Sequence, residues 1–171
     1  MATTEYTWQD IAKHMESSGL DNWLVIDGIV YDVTDWVKEH PGGKQPLINW
    51  SANDASKRFR IVHKLPEKWL KEIAPRYRIG ILKEIIYTME DVTAHTDKDG
   101  NDNWLVIDEY VYDVTKWMKD HPGGTVPLVN WSGKDASERF KKVHKDPIAT
   151  MKKFGPKYRI GKLATQQMSK L

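Results

Sequence analysis

The sequence contains no cysteine, and this absence excludes several kinds of site. There can be no disulfide, no thiolate zinc site, no iron–sulfur cluster and no cofactor attached covalently through paired cysteines. Any prosthetic group must therefore be held by non-covalent contacts and by side chains of other types.

Long apolar runs and a strong charge of one sign are also missing. No run approaches the roughly 18 apolar residues of a membrane-spanning helix, and the first residues lack the basic and apolar segments of a signal peptide. The net charge is only +2, which gives no electrostatic reason to expect nucleic-acid binding. We expect a soluble monomer with no membrane span and no nucleic-acid partner.

The last three residues, Ser169-Lys170-Leu171, match the tripeptide that directs proteins to the peroxisome. If Leu171 is the natural C-terminus, we expect a peroxisomal protein. Without that signal the expected location is the cytoplasm.

The chain does contain a long internal duplication. Residues 6–86 align with residues 87–167 at a constant offset of 81 positions, without a gap, and more than half of the aligned residues are identical. This period exceeds the roughly 20–50 residues of solenoid repeats. We therefore expect two consecutive domains, residues 1–84 and 85–171. Each is small enough that a bulky buried ligand would help to complete its core.

Each copy mixes strand patterns with short helix patterns. In the first copy two strand-like runs flank Asp27-Gly28, which is a hairpin signal. The second copy has Asp108-Glu109 there, so its turn is expected to differ. The segregation of strands from helices predicts an α+β fold, with a small mixed sheet and short helices in each domain.

Helix boundaries in the first copy are predicted from capping residues and prolines. Thr7 is suited to cap a short helix, with Asp10 as its partner in a capping box. Thr34 is expected to cap a helix that ends at His40, and Asp54 or Ser51 to begin the helix towards His63. Pro66 and Pro147 suit the first turn of a further helix.

The motif His-Pro-Gly-Gly occurs once per copy, beginning at His40 and His121, and another histidine follows 23 positions later, at His63 and His144. Each of these four histidines has an aromatic residue one helical turn before it in the sequence. A lone histidine on an apolar face is usually a core residue, but two per copy in one repeated pattern favour metal ligation. Zinc usually needs three or four protein ligands. A flat porphyrin between two helices needs one imidazole on each side.

His14 and His95 also repeat, but no aromatic residue precedes them by one turn. We interpret them as surface or capping residues. Trp23 and Trp104 each begin a strand pattern and are interpreted as core residues.

The sequence resembles a cytochrome b5 domain, twice over, along nearly the whole chain. The resemblance rests on Trp23-Leu24-Val25-Ile26, Val30-Tyr31-Asp32-Val33-Thr34, His40-Pro41-Gly42-Gly43, Asp54-Ala55-Ser56, Phe59, His63 and Ile79-Gly80, with their counterparts 81 positions later. It implies two non-covalent b-type haems per chain, one held by His40 and His63 and the other by His121 and His144.

The resemblance also implies the pocket around each haem. The matching apolar positions are Trp36, Leu47 and Phe59 in the first copy and Trp117, Leu128 and Phe140 in the second. The glycines of the two motifs, Gly42, Gly43, Gly123 and Gly124, allow a sharp turn and a close approach of a flat ligand to the backbone. Lys64 and Lys145 directly follow the second histidines and are candidate partners of the haem propionates.

Two features depart from the family pattern. The spacing between Phe59 and His63 is one residue shorter than in the best-known microsomal members, which places the edge of the pocket in question. The family commonly has an acidic rim, whereas residues 40–64 hold five Lys or Arg against one Asp and residues 121–145 hold five against two acidic residues. We expect a basic docking face for an acidic partner, with solvated helix faces as the alternative.

Iron with two histidine ligands has no open position for a substrate, which implies an electron carrier and not an enzyme. We expect transfer between a reductase, such as a flavoprotein, and an acceptor oxidoreductase. The alternatives are a haem-storage, haem-delivery or sensor protein, and a structural or adaptor module in which one or both copies have lost haem. Three pairs of differing pocket positions predict unequal potentials: Gln45/Val126, Ile61/Lys142 and Trp69/Thr150.

Overall fold

The computed structural model describes residues 3–15, 21–96 and 102–164. The chain divides into two compact units, Met1–Lys83 (unit 1) and Glu84–Leu171 (unit 2). The boundary expected from the repeat falls one residue later, after Glu84.

Unit 1 alternates short strands with short helices. Its elements are β1 (Glu5–Tyr6), α1 (Trp8–Ala12), β2 (Trp23–Ile26), β3 (Ile29–Asp32), a 3₁₀ helix (Trp36–Lys38), α2 (Gln45–Asn49), α3 (Ser56–Val62), α4 (Pro66–Glu72), a second 3₁₀ helix (Ala74–Arg76) and β4 (Arg78–Leu82). The strands form one sheet in the order β1-β4-β3-β2. Because β1 pairs parallel with β4 and the other pairs are antiparallel, the sheet is mixed.

The sheet of unit 1 separates two apolar clusters, since successive side chains of a strand point to opposite faces. On one face Leu24 and Ile26 pack with Phe59 of α3, and Trp36 and Leu47 lie against the same cluster. On the other face Val25 packs with Trp8 and Ile11 of α1. The first cluster therefore holds the residues expected around a ligand.

Unit 2 repeats this architecture with a longer last helix. Its elements are β5 (Ile86–Tyr87), α5 (Met89–Ala94), β6 (Trp104–Ile107), β7 (Tyr110–Asp113), a 3₁₀ helix (Thr115–Trp117), α6 (Val126–Trp131), α7 (Ser137–Val143), α8 (Pro147–Tyr158) and β8 (Arg159–Leu163). The sheet order is β5-β8-β7-β6. Both units thus have the predicted α+β fold, with a mixed four-stranded sheet and short helices.

The hairpin turns differ between the units as expected. In unit 1 both Asp27 and Gly28 have positive φ, whereas in unit 2 Asp108 does and Glu109 does not. Glycine adopts such a conformation without steric cost, and glutamate does not. The pairing register on either side of the turn is nevertheless the same, with Ile26 opposite Ile29 and Ile107 opposite Tyr110.

The predicted cap at Thr34 is wrong. The helix that follows is only the three-residue 3₁₀ segment Trp36–Lys38, with no side-chain cap. Thr34 instead donates its hydroxyl to Asp32 at 2.5 Å and accepts the backbone N–H of Asn22 at 3.0 Å. Threonine in this position closes a local side-chain turn in place of a helix cap.

Candidate functional site

The second histidine of each predicted ligand pair is placed by a seven-residue helix. In unit 1, α3 ends at Val62, and the backbone N–H of His63 donates to the carbonyl of Phe59 at 3.1 Å. Since the two residues are four apart, their rings lie on one face, with centroids 4.2 Å apart. In unit 2, Phe140 and His144 repeat the arrangement at 4.1 Å.

The first histidine of each pair is placed by the His-Pro-Gly-Gly turn. Pro41 cannot continue a helix, and Gly43, with φ +78°, turns the chain so that its N–H donates to the carbonyl of His40 at 2.8 Å. The ring of Trp36 lies 6.4 Å from that of His40. The turn at Gly124 and the rings of Trp117 and His121 repeat this geometry, with the two rings 6.3 Å apart.

These elements bring the two predicted ligands of each unit close together, with ring planes inclined at 60° in unit 1 and 61° in unit 2. The ring centroids of His40 and His63 are 6.2 Å apart, and those of His121 and His144 are also 6.2 Å apart. An imidazole nitrogen bonds a metal at about 2 Å and lies roughly 1.2 Å from its ring centre, so two imidazoles on opposite sides of one ion have centres about 6.3 Å apart. Both pairs match this separation.

All four rings are held in the tautomer that suits a metal. Nδ1 of His40 lies 2.8 Å from the carbonyl oxygen of Gly43, and Nδ1 of His63 lies 2.9 Å from that of Phe59. A carbonyl can only accept, so Nδ1–H is the donor and Nε2 keeps its lone pair for a metal ion. His121 and His144 have the same partners at Gly124 and Phe140.

The donor set fits an iron porphyrin and not a bare metal ion. Among residues 3–15, 21–96 and 102–164, no group of three or more His, Cys, Asp or Glu side chains is arranged to hold a metal. Two imidazoles alone would be too few ligands to hold a bare ion. A porphyrin supplies four more ligands, and the apolar residues that surround the pair suit its flat faces.

The predicted pocket residues lie where a flat ligand needs apolar walls. Phe59 is buried, and Leu47 and Trp36 pack partly buried against its cluster. Leu128, Phe140 and Trp117 are partly buried against the matching cluster of unit 2. Beside the second histidines, Val62 and Val143 are 49% and 52% exposed, so each unit also presents an apolar side chain at this edge of the site.

Sequence reasoning missed several rings behind the first histidines. Tyr77 packs 5.6 Å from Trp36, and Tyr158 packs 5.4 Å from Trp117. Phe154 adds a further ring 5.1 Å from Trp117, in unit 2 only. The repetition of Tyr77 at Tyr158 is a signal that could have found the first two.

The prediction that His14 and His95 are surface or capping residues is borne out in part: both side chains are about one-third exposed, at 30% and 33%, and His95 is the C-cap residue of α5. Their rings stack on Trp23 and Trp104, with centroids 3.5 and 3.6 Å apart and nearly parallel planes. Nδ1 of His14 also lies 2.7 Å from a carboxylate oxygen of Asp21. Their polar helix face concealed this contact, because the indole comes from a strand that follows later in the sequence. They are structural and lie outside the pocket cluster.

Some of the basic side chains in segments 40–64 and 121–145 form ion pairs, and others are exposed to solvent. In unit 1 Arg60 forms ion pairs with Asp27 and Glu67, and in unit 2 Lys141 forms ion pairs with Asp108 and Glu138. These contacts hold the pKa of both basic side chains above the usual values, through side-chain hydrogen bonds first. Lys57, Arg58, Lys64, Arg139, Lys142 and Lys145 are exposed.

No helix within the described part of the chain is both long and apolar enough to cross a membrane. The capping pair expected at the first helix is present in both units: Thr7 accepts the N–H of Asp10, and Thr88 that of Asp91.

A family model described as "Cytochrome b5-like Heme/Steroid binding domain" matches the chain twice, at residues 7–83 and 88–164. The two matches coincide with the repeat and with the two units. Each contains one of the two histidine pairs.

Similar curated proteins are much longer than this chain. A fatty acid desaturase 2-like protein of Mus musculus is 48% identical over 58 residues, which are 34% of this chain and 12% of that protein. An inducible nitrate reductase [NADH] of Glycine max is 39% identical over 79 residues, 46% of this chain and 8% of that protein. The chain thus covers only a small part of the length of these relatives.

Two solved structures are similar to single units. Cytochrome b5 of Ostreococcus tauri virus 2 is 35% identical and covers 46% of this chain and 95% of its own, with a TM-score of 0.40. Cytochrome b558 of Ectothiorhodospira vacuolata is 28% identical and covers 47% of this chain and 100% of its own, with a TM-score of 0.39.

Proposed function

The chain belongs, through both of its units, to the family of cytochrome b5-like haem/steroid binding domains, and from that membership we propose that it is an electron carrier with one haem in each unit. Domains of this family bind haem and generally act in electron transfer. The observation that carries the proposal is the close imidazole pair, which recurs in both units with centroids 6.2 Å apart.

Bound haem supplies a one-electron couple between ferric and ferrous iron. His40 and His63 would hold it in unit 1 through Nε2, and His121 and His144 in unit 2. Two protein imidazoles on one haem iron would leave no coordination position for a substrate or for oxygen. The carbonyls of Gly43, Phe59, Gly124 and Phe140 orient the four rings through their Nδ1–H groups. We therefore propose a carrier and not an enzyme.

The first test is the haem content of the full chain, with visible spectra of the oxidised and dithionite-reduced protein. We expect two haems per chain and sharp low-spin reduced bands that carbon monoxide does not change. One haem per chain would mean that one unit has a structural role only. Binding of carbon monoxide would mean an open iron position, and would favour a sensor or an enzyme.

Single substitutions assign each haem to its ligands. His63→Ala and His144→Ala should each leave one haem per chain. His14→Ala is the matched control, because it removes a histidine that stacks on Trp23 outside the pocket cluster. It should leave both haems in place.

We propose that Lys64 and Lys145 each pair with a haem propionate. Both are exposed and directly follow a proposed ligand. A lysine beside a propionate neutralises a negative charge near the iron, so Lys64→Ala should lower the potential of the haem in unit 1 only. An unchanged potential would remove Lys64 from the site.

The proposed partners are a flavoprotein reductase and an acceptor oxidoreductase. Support comes from the relatives: the matched part of the chain corresponds to a small part of a desaturase-like protein and of a nitrate reductase [NADH]. The exposed basic side chains beside the second histidines favour partners with acidic docking surfaces. Reduction by an acidic flavoprotein should then slow as ionic strength rises. A rate independent of salt would contradict a basic docking face.

A peroxisomal location is proposed from Ser169-Lys170-Leu171, which lie outside the described residues. Imaging of the full chain with a fluorescent protein at its N-terminus would test it. Deletion of Leu171 should move the fusion from peroxisomes to the cytoplasm, and an unchanged distribution would reject the signal.

A further inference from the structure

The two units differ in the ring that lies beside the second histidine. In unit 1 the indole of Trp69, from α4, lies 6.4 Å from the ring of His63 and 5.1 Å from that of Phe59. It also lies 6.4 Å from Tyr31 of the sheet. These separations are within the range at which aromatic rings attract one another. Trp69 thus packs between the proposed ligand His63, helix α3 and the sheet.

Unit 2 keeps the other rings of this group but lacks the indole. Tyr112, Phe140 and His144 stand where unit 1 has Tyr31, Phe59 and His63, and Thr150 stands in place of Trp69. The hydroxyl of Thr150 donates to the carbonyl of Asp146 within its own helix. Among the described residues, the only rings near His144 are Phe140 and its partner His121.

The two units also differ in an ion pair close to the second histidine. His63 lies in the short segment between α3 and α4, and Arg60 of α3 pairs with Glu67 of α4 across that segment. In unit 2, Ile148 replaces Glu67, and Lys141 pairs with Asp108 and with Glu138 of its own helix. Such exposed pairs contribute little individually. Here the pair links the two helices that flank His63.

The extra ring of unit 2 supports the opposite ligand. Phe154, which replaces Ile73, packs 5.1 Å from Trp117, and Trp117 lies 6.3 Å from His121. The α-helix that follows the second histidine therefore supports a different histidine in each unit: α4 supports His63, and α8 supports the side of His121.

We propose that Trp69 is a positioning residue for His63, and that unit 1 consequently releases its haem more slowly than unit 2. This inference rests on the proposed haem binding. Release of haem from such a site would require one imidazole to move away. In unit 1 the motion of His63 would disrupt its packing with Phe59 and Trp69. In the described part of unit 2, the ring that packs on His144 is that of Phe140.

The test is haem transfer from the ferric full chain to excess apomyoglobin, followed in the Soret band. The wild-type chain should lose its two haems in two resolved phases. Trp69→Thr, which copies unit 2, should accelerate only the slow phase, by about twofold to tenfold given the strength of an aromatic pair. Trp69→Phe keeps a ring beside His63 and should retain slow release.

A second readout separates positioning from a general loss of stability. The principal g values of low-spin ferric haem report the orientation of the axial imidazoles, so Trp69→Thr should shift one of the two sets of g values and leave the other unchanged. Leu70→Thr is the matched control: it removes an apolar side chain of the same helix and cluster, but no ring. It should leave the g values at those of the wild type.

The possible outcomes are distinguishable. Equal release rates from a chain with two low-spin haems would overturn this inference and leave the proposed electron carrier intact. The same conclusion follows if Leu70→Thr shifts the g values as much as Trp69→Thr. A chain that binds no haem would overturn both proposals.

Discussion

The six histidines have two kinds of hydrogen-bond partner, and the difference follows their proposed roles. His40, His63, His121 and His144 donate Nδ1–H to backbone carbonyls. A carbonyl can only accept a hydrogen bond, so it fixes the proton of the neutral ring on Nδ1. His14 and His95 contact the carboxylates of Asp21 and Asp102 instead. The backbone partners thus preserve the free Nε2 that an axial ligand needs.

Gly42 should affect haem binding through the position of His40. A Cβ at residue 42 would lie 2.8 Å from Cε1 of the His40 ring, which is closer than such atoms approach. Gly42→Ala should push the ring away and weaken its hydrogen bond to Gly43. Loss of one such bond corresponds to haem binding weaker by about threefold to tenfold in unit 1, measured by haem titration of the apoprotein.

The control for this prediction is the equivalent change in the other unit. A Cβ at Gly123 would meet His121 at the same distance, 2.8 Å. Gly123→Ala should therefore weaken the haem of unit 2 and leave that of unit 1 unchanged. Wild-type affinity in both variants would show that the rings tolerate the added methyl groups.

Tyr112 should make unit 2 sensitive to alkaline conditions. It is 6% exposed, and burial raises the pKa of its phenol. Above the unfolded-state pKa of about 10 the unfolded chain loses this proton and the folded chain keeps it, so stability falls by about 1.4 kcal/mol per pH unit until the folded pKa is reached. Tyr112→Phe should remove that part of the slope.

The measurement is urea unfolding of the wild type and of Tyr112→Phe between about pH 9 and 12, a range that includes the ordinary tyrosine pKa of about 10. Below pH 10 the difference in stability between the two proteins should not depend on pH. Parallel curves above pH 10 would show that Tyr112 ionises as readily in the folded chain as in the unfolded one.

At the scale of elements, local signals predicted the helices that begin at a capping threonine or at a proline in the first turn. The capping box at Thr7 and the start of α4 at Pro66 both lie where sequence patterns placed them. Thr34 was predicted wrongly because its hydroxyl has two competing uses, a helix cap and a local bond to Asp32. The sequence does not reveal that the backbone of Asn22 competes for the same side chain.

Thr7 should contribute measurably to the stability of unit 1. Its side chain accepts the N–H of Asp10, and the carboxylate of Asp10 accepts the N–H of Thr7 in return. Thr7→Ala removes a helix cap, which costs about 1 kcal/mol, and urea unfolding would measure the loss. Thr7→Ser retains the hydroxyl and should restore most of it. If serine does not restore stability, the cap is not the source of the effect.

The contribution of Asp10 to the stability of the capped helix α1 should decrease in acid. Bonds from Lys13 and Thr7 lower the pKa of Asp10 to about 2. A carboxyl with a lowered pKa stabilises the fold above its unfolded pKa of about 4, and the benefit is lost as pH falls towards the folded value. Since the Asp10 side chain is 41% exposed and solvent screens its contacts, this part of the acid dependence should be small.

At the scale of the whole molecule, the repeat predicted the two histidine pairs more successfully than it predicted the side chains that pack around each pair. The pairs His40/His63 and His121/His144 lie together because both copies retain the same motifs. The support behind each pair depends on single replacements, such as Trp69 by Thr150 and Ile73 by Phe154. Only three-dimensional packing shows that these replacements support different ligands.

The two haems should have different midpoint potentials. Near the second histidine, unit 1 exposes Ile61, which is 66% accessible, where unit 2 exposes Lys142. A nearby cation favours the reduced haem, which carries less positive charge than the oxidised one. Ile61→Lys should therefore raise the potential of unit 1, and Lys142→Ile should lower that of unit 2, by roughly 10–30 mV at low salt.

Potentiometric titration of the full chain, followed in the reduced haem bands, would measure both potentials. Both shifts should shrink as ionic strength rises, because the side chains are exposed. A single wave in the wild type, unchanged by either substitution, would contradict the expected asymmetry.

The pairing of β1 with β4 has a genetic consequence. Within unit 1 the first strand, Glu5–Tyr6, lies directly beside the last, at Ile81–Leu82, and unit 2 closes in the same way through Ile86–Tyr87 and Lys162–Leu163. An in-frame duplication of 81 codons therefore adds a copy that completes its own sheet without borrowing a strand. The adjacent ends also allow such a coding segment to be spliced into a longer reading frame with little disturbance to its host.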